Sequence, residues 1–119
     1  RSTQGVSSAA SDVYKRQVYN TKDSVANKYL VMYLRANSLE YNRLGISVSK
    51  KVGNSVVRHR VTRLIREAYR LNKDCIRSGY DIVFVARTTA KDKGYHEIES
   101  AMMHLFRLKK LTLVRDGEN

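Results

Sequence analysis

Apolar and polar positions alternate in two segments of the chain, residues 29–35 and 44–49. A period of two is typical of a strand with one buried face. In the first segment the face opposite the apolar residues consists of Tyr29, Tyr33 and Arg35. In the second, the face opposite the apolar residues consists of Gly45, Ser47 and Ser49. Residues 80–87 are almost continuously apolar, which predicts a strand in the centre of a sheet.

A helical period follows the second strand, from about Ser55 to Asn72. Asn54 or Ser55 can cap this helix after the Gly53 turn, because either side-chain oxygen accepts a free N–H of the first turn. At about 100° per residue, one stripe of the helix is apolar: Val57, Val61, Leu64, Ile65 and Ala68. The nearly opposite side carries His59, Arg63, Arg66 and Arg70, with Arg60 at its rim and Arg58 beside the apolar stripe.

A last helix is predicted after Gly94, and its buried stripe would consist of Ile98, Ala101, Met102, Leu105 and Leu108. The order of strands and helices indicates one domain of the α/β class: a two-layer sandwich in which helices cover one face of a small mixed sheet. No apolar run approaches the roughly 20 residues that a membrane span requires. Residues 1–20 lack the apolar stretch of a secretory signal, so we expect a cytoplasmic protein.

Charge adds a partner to this fold. The 119 residues include 23 Lys and Arg against 11 Asp and Glu, which gives a net charge of +12. Such an excess is usually balanced by a polyanion. A membrane surface is the competing anion, but no segment combines a basic face with bulky aromatic side chains that insert into lipid. The composition therefore favours a nucleic acid that is bound largely through its phosphates.

The polar face of the predicted sheet suits a single strand of nucleic acid. Small residues would form its floor, and tyrosines beside it could stack on bases while an arginine holds the backbone. The alternative is a half-exposed sheet whose tyrosines only cover apolar surface, and the pattern does not decide between the two.

The acidic and histidine residues do not suggest a protein active site. Glu97 and Glu99 are the closest carboxylates, yet residues two apart on a helix do not share a face. The three histidines, His59, His96 and His104, lack the spacing of a metal site. We therefore expect neither a catalytic residue nor a metal site in this protein.

Residues 50–68, KKVGNSVVRHRVTRLIREA, resemble the signature of the bacterial ribonuclease P protein component. The strand at 44–49, the segment DIVFVAR at 81–87 and the pair Leu105-Phe106 match the same family. The resemblance implies a small basic protein that binds the catalytic RNA of ribonuclease P, which removes the 5′ leader from precursor tRNA. It also implies a left-handed β-α-β crossover, against the general right-handed rule.

The resemblance further implies which residues contact RNA. Those expected at the catalytic RNA are Lys50, Lys51, Asn54, Arg58, Arg60, Arg63 and Arg66, to which the helix pattern adds His59 and Arg70. Those expected at the leader are Tyr19, Tyr33, Ser47 and Ser49, to which the strand pattern adds Tyr29 and Arg35. In this family the RNA performs the chemistry with Mg²⁺ that it largely binds itself. We expect no membrane or DNA partner.

Three features depart from the family pattern. His59 replaces the usual Asn, and Thr62 replaces a common Lys, which predicts one phosphate contact fewer. Residues 1–17 lack the family's basic first helix, so we expect this stretch to be non-native or disordered. The family domain is then residues 18–111, and residues 112–119 form a C-terminal tail.

Two other functions are compatible with a basic helix. A structural RNA-binding protein of the ribosomal type would bind RNA without preferring precursor tRNA. A DNA-binding helix would read base edges, but arginines without accompanying Asn or Gln are typical of phosphate neutralisation.

Overall fold

The computed structural model describes residues 23–113, which form a mixed four-stranded sheet with helices packed on one face. The predicted two-layer α/β sandwich is therefore confirmed. The strands are β1 (Ser24–Ala26), β2 (Leu30–Ala36), β3 (Arg43–Ser47) and β4 (Tyr80–Ala86), and the helices are α1 (Ser55–Asn72) and α2 (Tyr95–Leu108). Two short 3-10 turns, Lys73–Cys75 and Thr88–Ala90, follow α1 and β4.

The sheet has the strand order β1-β2-β4-β3, so β4 lies between two neighbours as its apolar sequence predicts. β2 runs antiparallel to β1 and to β4, with Met32 opposite Phe84. β3 runs parallel to β4, with Ile46 beside Phe84. The parallel pair β3 and β4 is joined through α1, which gives the β-α-β unit that the family resemblance implies.

The core lies between the sheet and the two helices. β2 contributes the predicted alternate residues from Leu30 to Leu34, and the Phe84 ring of β4 meets the Phe106 ring of α2 edge to face at 5.7 Å between centroids. The helices contribute buried residues on the predicted stripes: Val61, Ile65, Ala68, Ile98, Ala101, Met102 and Leu105. The prediction for Leu108 is wrong, since this residue ends α2 and is 50% exposed. Phe106, which lies deeper on the same helix, is buried instead.

The turn before α1 explains where β3 ends. Asn54 is the N-cap of α1, and its Oδ1 accepts the N–H of Val57 at 3.0 Å. Ser49 belongs to this turn rather than to the strand, because its Oγ accepts the N–H of Lys51 and its carbonyl accepts the N–H of Val52. Gly53 is required there by close packing, since a Cβ would lie 2.8 Å from Cγ1 of Val57.

Asp81 is the one buried charged side chain among residues 23–113, and it lies on the sheet face opposite the helices. Its Oδ1 accepts from Arg43 Nε at 2.7 Å and from Asn37 Nδ2 at 3.0 Å, and its Oδ2 accepts from Arg43 Nη2 at 2.8 Å. Arg35 Nη1 lies 3.8 Å from Oδ2. Burial alone would raise the pKa of Asp81, but the hydrogen bonds from Arg43 and Asn37 and the two guanidinium charges hold it below its ordinary value.

We predict that Asp81→Asn lowers the free energy of unfolding by about 2 kcal/mol at neutral pH, because Arg43 then loses a charge-assisted hydrogen-bonded partner. A carboxyl whose pKa is lowered by folding stabilises the protein above the ordinary Asp pKa of about 3.9, and this contribution disappears as the pH falls through the folded-state pKa. The difference between wild type and variant should therefore narrow below about pH 4.

Urea unfolding between pH 7 and pH 2 measures this difference. Asp74→Asn is the matched control, since Asp74 is exposed and should leave the unfolding free energy unchanged. A difference for Asp81→Asn that stays constant into acid would contradict the assigned role of the carboxylate.

Candidate nucleic-acid interface

The outward side of α1 presents side chains that no other described group holds. His59, Arg63 and Arg66 are exposed, and within residues 23–113 no ion pair or hydrogen bond engages their side chains. Lys50 and Lys51 are exposed in the turn just before the helix. Because α1 is regular from its Asn54 cap onwards, the three helical positions repeat along one side at intervals of three or four residues. The result is a cationic surface that can meet phosphates without first breaking protein contacts.

Arg58 and Arg60, which the sequence assigns to RNA, also make contacts inside the protein. Arg60 donates from Nη1 to the carbonyl of Lys93 at 2.9 Å and from Nη2 to the carbonyl of Lys91 at 2.6 Å. Its guanidinium therefore joins α1 to the segment that leads into α2. Arg58 Nε donates to the Gly53 carbonyl at 3.2 Å and so supports the turn before the helix.

Arg70 and Thr62 are also partly committed. Arg70 forms a two-point contact with Glu67, with Nε 3.1 Å from Oε1 and Nη2 2.6 Å from Oε2. The hydrogen bond from Arg70 holds the pKa of Glu67 below its ordinary value, which means that the pair stays ionised and largely cancels its own charge. Thr62 Oγ1 donates to the Arg58 carbonyl at 2.8 Å, so this hydroxyl bonds to its own helix.

The predicted leader groove would lie on the outer face of the sheet, opposite the helices. One row across the strands consists of Tyr33, Val83 and Gly45, and the next consists of Val31, Val85 and Ser47. Gly45 and Ser47 of β3 thus lie beside Val83 and Val85 of β4, with Gly45 and Val83 buried and Ser47 and Val85 partly exposed. The row of Arg35, Asp81 and Arg43 bounds this face at one end.

Three residues predicted for the groove lie elsewhere or cannot be placed. Tyr29 packs against the core, and its ring lies near Lys93 and beside α2. It therefore does not share the outer face of the sheet with Tyr33, although the alternation predicted that it would. The reason is that β2 begins only at Leu30. Ser49 lies in the turn beyond β3. Tyr19 lies outside the described residues, as do the stretch 1–17 and most of the predicted tail 112–119.

Sequence reasoning missed the role of Asp81 and with it that of Arg43. A signal was available, since an ionised carboxylate inside an apolar strand needs a charged or hydrogen-bonding partner. The sequence alone could not identify this partner, because Arg43 is 38 residues away from Asp81 in the chain.

The carboxylates weighed as catalytic candidates have structural partners. Glu97 Oε1 accepts the N–H of Gly94 at 3.1 Å at the start of α2. Glu99 Oε2 accepts from Asn72 Nδ2 at 2.8 Å and from the Tyr95 hydroxyl at 3.0 Å. Burial and the hydrogen bond to Glu99 raise the pKa of Tyr95, which keeps this hydroxyl protonated.

Among the described residues no group of three or more His, Cys, Asp or Glu side chains could hold a metal ion. Neither helix within residues 23–113 has the length and apolar character to span a bilayer.

Comparison with known proteins identifies relatives with this sequence and fold. The family model for ribonuclease P matches residues 12–110. A ribonuclease P protein component from Lachnoclostridium phytofermentans is 65% identical over 94 residues, which cover 79% of this chain and 81% of that protein. One from Alkaliphilus metalliredigens is 57% identical over 96 residues, covering 81% and 86%. The solved structure of the Staphylococcus aureus RNase P protein has a TM-score of 0.77 and 37% identity, covering 84% of this chain and 92% of that one.

The contacts of α1 predict opposite phenotypes for two neighbouring arginines. Arg63→Gln should weaken binding to a bacterial ribonuclease P RNA and reduce the log–log salt slope by about 0.7–0.9, with the unfolding midpoint unchanged. Arg60→Lys keeps the charge but replaces a guanidinium that bonds two carbonyls, so it should reduce the unfolding free energy by about 1–2 kcal/mol.

Salt-dependent binding titrations and urea unfolding of both variants check this division. The salt slope of Arg60→Lys should equal that of wild type. If Arg60→Lys is as stable as wild type, or Arg63→Gln keeps the full slope, the assignment of the two side chains is wrong.

Proposed function

Because this chain belongs to the bacterial ribonuclease P protein family, we propose that it binds the catalytic RNA of that enzyme and the 5′ leader of precursor tRNA. Members of this family are protein subunits of ribonuclease P, the endoribonuclease that matures the 5′ end of tRNA. The chain is accordingly a subunit of an enzyme whose other subunit is an RNA. Its place of action is then the bacterial cytoplasm, where precursor tRNA is made.

The observation that carries the proposal is the uncompensated charge on and before α1. Residues 50–72 contain seven Lys and Arg and a single carboxylate, Glu67, which Arg70 already neutralises. Arg63 and Arg66 on the helix, with Lys50 and Lys51 in the preceding turn, remain for phosphates of a folded RNA. His59 can add a hydrogen-bond donor to the same surface. Phosphate contacts of this kind fix position without reading sequence, which suits a structured RNA partner.

The groove on the outer face of the sheet suits the leader. Gly45 and Ser47 are small residues on this face, and the partly exposed Val31 and Val85 lie in the same row as Ser47. Tyr33 lies on the same face, where its ring can stack on an unpaired base irrespective of base identity. Arg35, at the end of the same face, provides charge for the leader backbone. Such a groove accepts any leader sequence, as an enzyme that processes many tRNA precursors requires.

The chemistry belongs to the RNA subunit in this proposal. Mg²⁺ held mainly by the RNA would activate water and stabilise the attacking and leaving oxygens of the phosphodiester. Glu97 Oε1 accepts the N–H of Gly94 at the start of α2, and Glu99 accepts from Asn72 of α1, so both carboxylates have structural contacts. The contribution of the protein is then to neutralise phosphates and to hold the leader. Both effects favour precursor over mature tRNA, since only the precursor carries a leader.

Reconstitution with a bacterial ribonuclease P RNA at low Mg²⁺ concentration tests the proposal. The protein should restore leader cleavage under conditions in which the RNA alone is nearly inactive, and it should raise affinity for precursor more than for mature tRNA. A protein that binds RNA tightly but gives neither effect would be a structural RNA-binding protein of the ribosomal type.

A groove variant sharpens this test. Tyr33→Ala should weaken precursor binding by about 5- to 150-fold, the equivalent of 1–3 kcal/mol for one stacked base, and leave mature tRNA affinity unchanged. Tyr41→Ala is the matched control, because Tyr41 is 59% exposed in the loop between β2 and β3. Equal effects of the two substitutions would exclude the leader from the outer face.

A further inference from the structure

A second basic surface lies beside α2, on the side turned away from α1. A depression of about 640 Å³ opens there between α2 and the turn that joins β1 to β2. The turn contributes Lys28 and Tyr29, and α2 contributes His96, Glu97, His104 and Arg107. We refer to this surface as the α2 depression. None of its residues belongs to the cationic side of α1 or to the outer face of the sheet.

The geometry of α2 separates this surface from α1. The residues of α2 that meet α1 include Glu99, which accepts from Asn72, and Phe106, whose ring lies 6.4 Å from that of Tyr69. At about 100° per residue, His104 and Arg107 lie roughly a third of a turn around the helix from that contact. An RNA strand on α1 would therefore not reach the α2 depression without passing around the helix.

Tyr29 concentrates positive charge at the depression. Lys28 Nζ lies 5.4 Å and Lys93 Nζ 5.6 Å from the centroid of its ring, and Lys93 Nζ also lies 3.8 Å from Asp92 Oδ1. The negative face of an aromatic ring attracts ammonium groups at such distances. Two flexible lysines from different parts of the chain are thereby held near one ring, and Arg107 adds a guanidinium from α2.

Asn27 fixes the proton of His104 so that the ring can donate into this site. Asn27 Oδ1 accepts the N–H groups of Tyr29 and Leu30, which identifies the oxygen. Its Nδ2 therefore faces the Ala101 carbonyl at 2.9 Å and His104 Nδ1 at 3.1 Å. An amide nitrogen only donates, so Nδ1 accepts and the neutral imidazole carries its proton on Nε2.

Glu97 offsets these cations only in part. Its Oε1 accepts the N–H of Gly94, and it lies in the first turn of α2, where the helix dipole is positive. The carboxylate charge is therefore partly offset by the start of its own helix. Lys28, Arg107 and the donors of His96 and His104 remain for an incoming anion.

We propose that the α2 depression is a second RNA-contact site that binds phosphodiester groups of an RNA strand. The proposal rests on the proposed function and extends it, because it gives this protein two separate phosphate-binding surfaces. The phosphates can come from the catalytic RNA or from the precursor tRNA. A cluster of cations around one tyrosine, with a histidine donor set by Asn27, is the chemistry that recognises them.

The test compares two double variants that remove the same charge. Lys28→Gln with Arg107→Gln empties the α2 depression of two cations, and Lys73→Gln with Arg77→Gln removes two exposed cations beyond the end of α1. Binding is measured against ribonuclease P RNA alone, and then for the reconstituted complex against precursors with long and short leaders. The thermal unfolding midpoint of each variant is measured as well. A midpoint equal to that of the wild type shows that the exposed substitutions leave the fold intact.

The first variant should weaken RNA binding by about 5- to 20-fold at 0.15 M salt and lower the log–log slope by about 1–2, as expected for two lost phosphate contacts. The control should change binding less than twofold. A loss with ribonuclease P RNA alone assigns the phosphates to the catalytic RNA. A loss that appears only with precursor in the complex assigns them to the substrate.

Equal effects of the two double variants, or no effect of the first, would overturn the second site. This outcome is distinct from failure of the proposed function. If the wild-type protein does not bind ribonuclease P RNA at all, the proposed function is contradicted. If the wild-type protein binds this RNA and the two double variants weaken binding equally, only the second site is contradicted.

Discussion

A buried carboxylate organises the face on which the proposed leader groove lies. Asp81 sits in the central strand, and its oxygens are bonded by Arg43 of one neighbouring strand and by Asn37, which follows the other. Together these contacts hold three strands side by side at one level. A shift of one residue in the register of either strand pair would turn the inner side chains outward. Because these contacts fix the register, they also fix which side chains lie on each face of the sheet. Tyr33, Val83 and Gly45 form the next row across the strands, and their alignment follows from the register that Asp81 and its partners set.

The arginines of α1 show how one sequence pattern serves several purposes. Arg60 holds the segment before α2, and Arg58 supports the turn that starts its own helix. Arg70 is balanced by Glu67. Arg63 and Arg66 keep their charge for a ligand. Identical side chains therefore differ in the charge that they leave for a ligand, because their contacts within the protein differ. A count of positive residues overstates the number of phosphates that the helix could hold.

Periodicity predicted the elements whose physics is local. The bounds of α1, its Asn54 cap and its buried Val61, Ile65 and Ala68 follow from helix spacing, and the apolar run of β4 marks the centre of the sheet. β1 has three residues, too few for a period to be visible. The position of Tyr29 and the intramolecular contacts of Arg60 could not be predicted, for a different reason. Their partners lie near α2, more than 30 residues away for Arg60, and spacing along the chain carries no information about such contacts.

The bonds from Arg60 to the carbonyls of Lys91 and Lys93 link the two basic surfaces mechanically. Arg60 belongs to α1, and Lys93 approaches the ring of Tyr29 at the α2 depression. Arg60 therefore connects the two surfaces through a short path of direct contacts. If both surfaces bind phosphates as proposed, their spacing favours an RNA whose tertiary fold presents phosphates at the matching interval, and folded architecture is selected without any base being read.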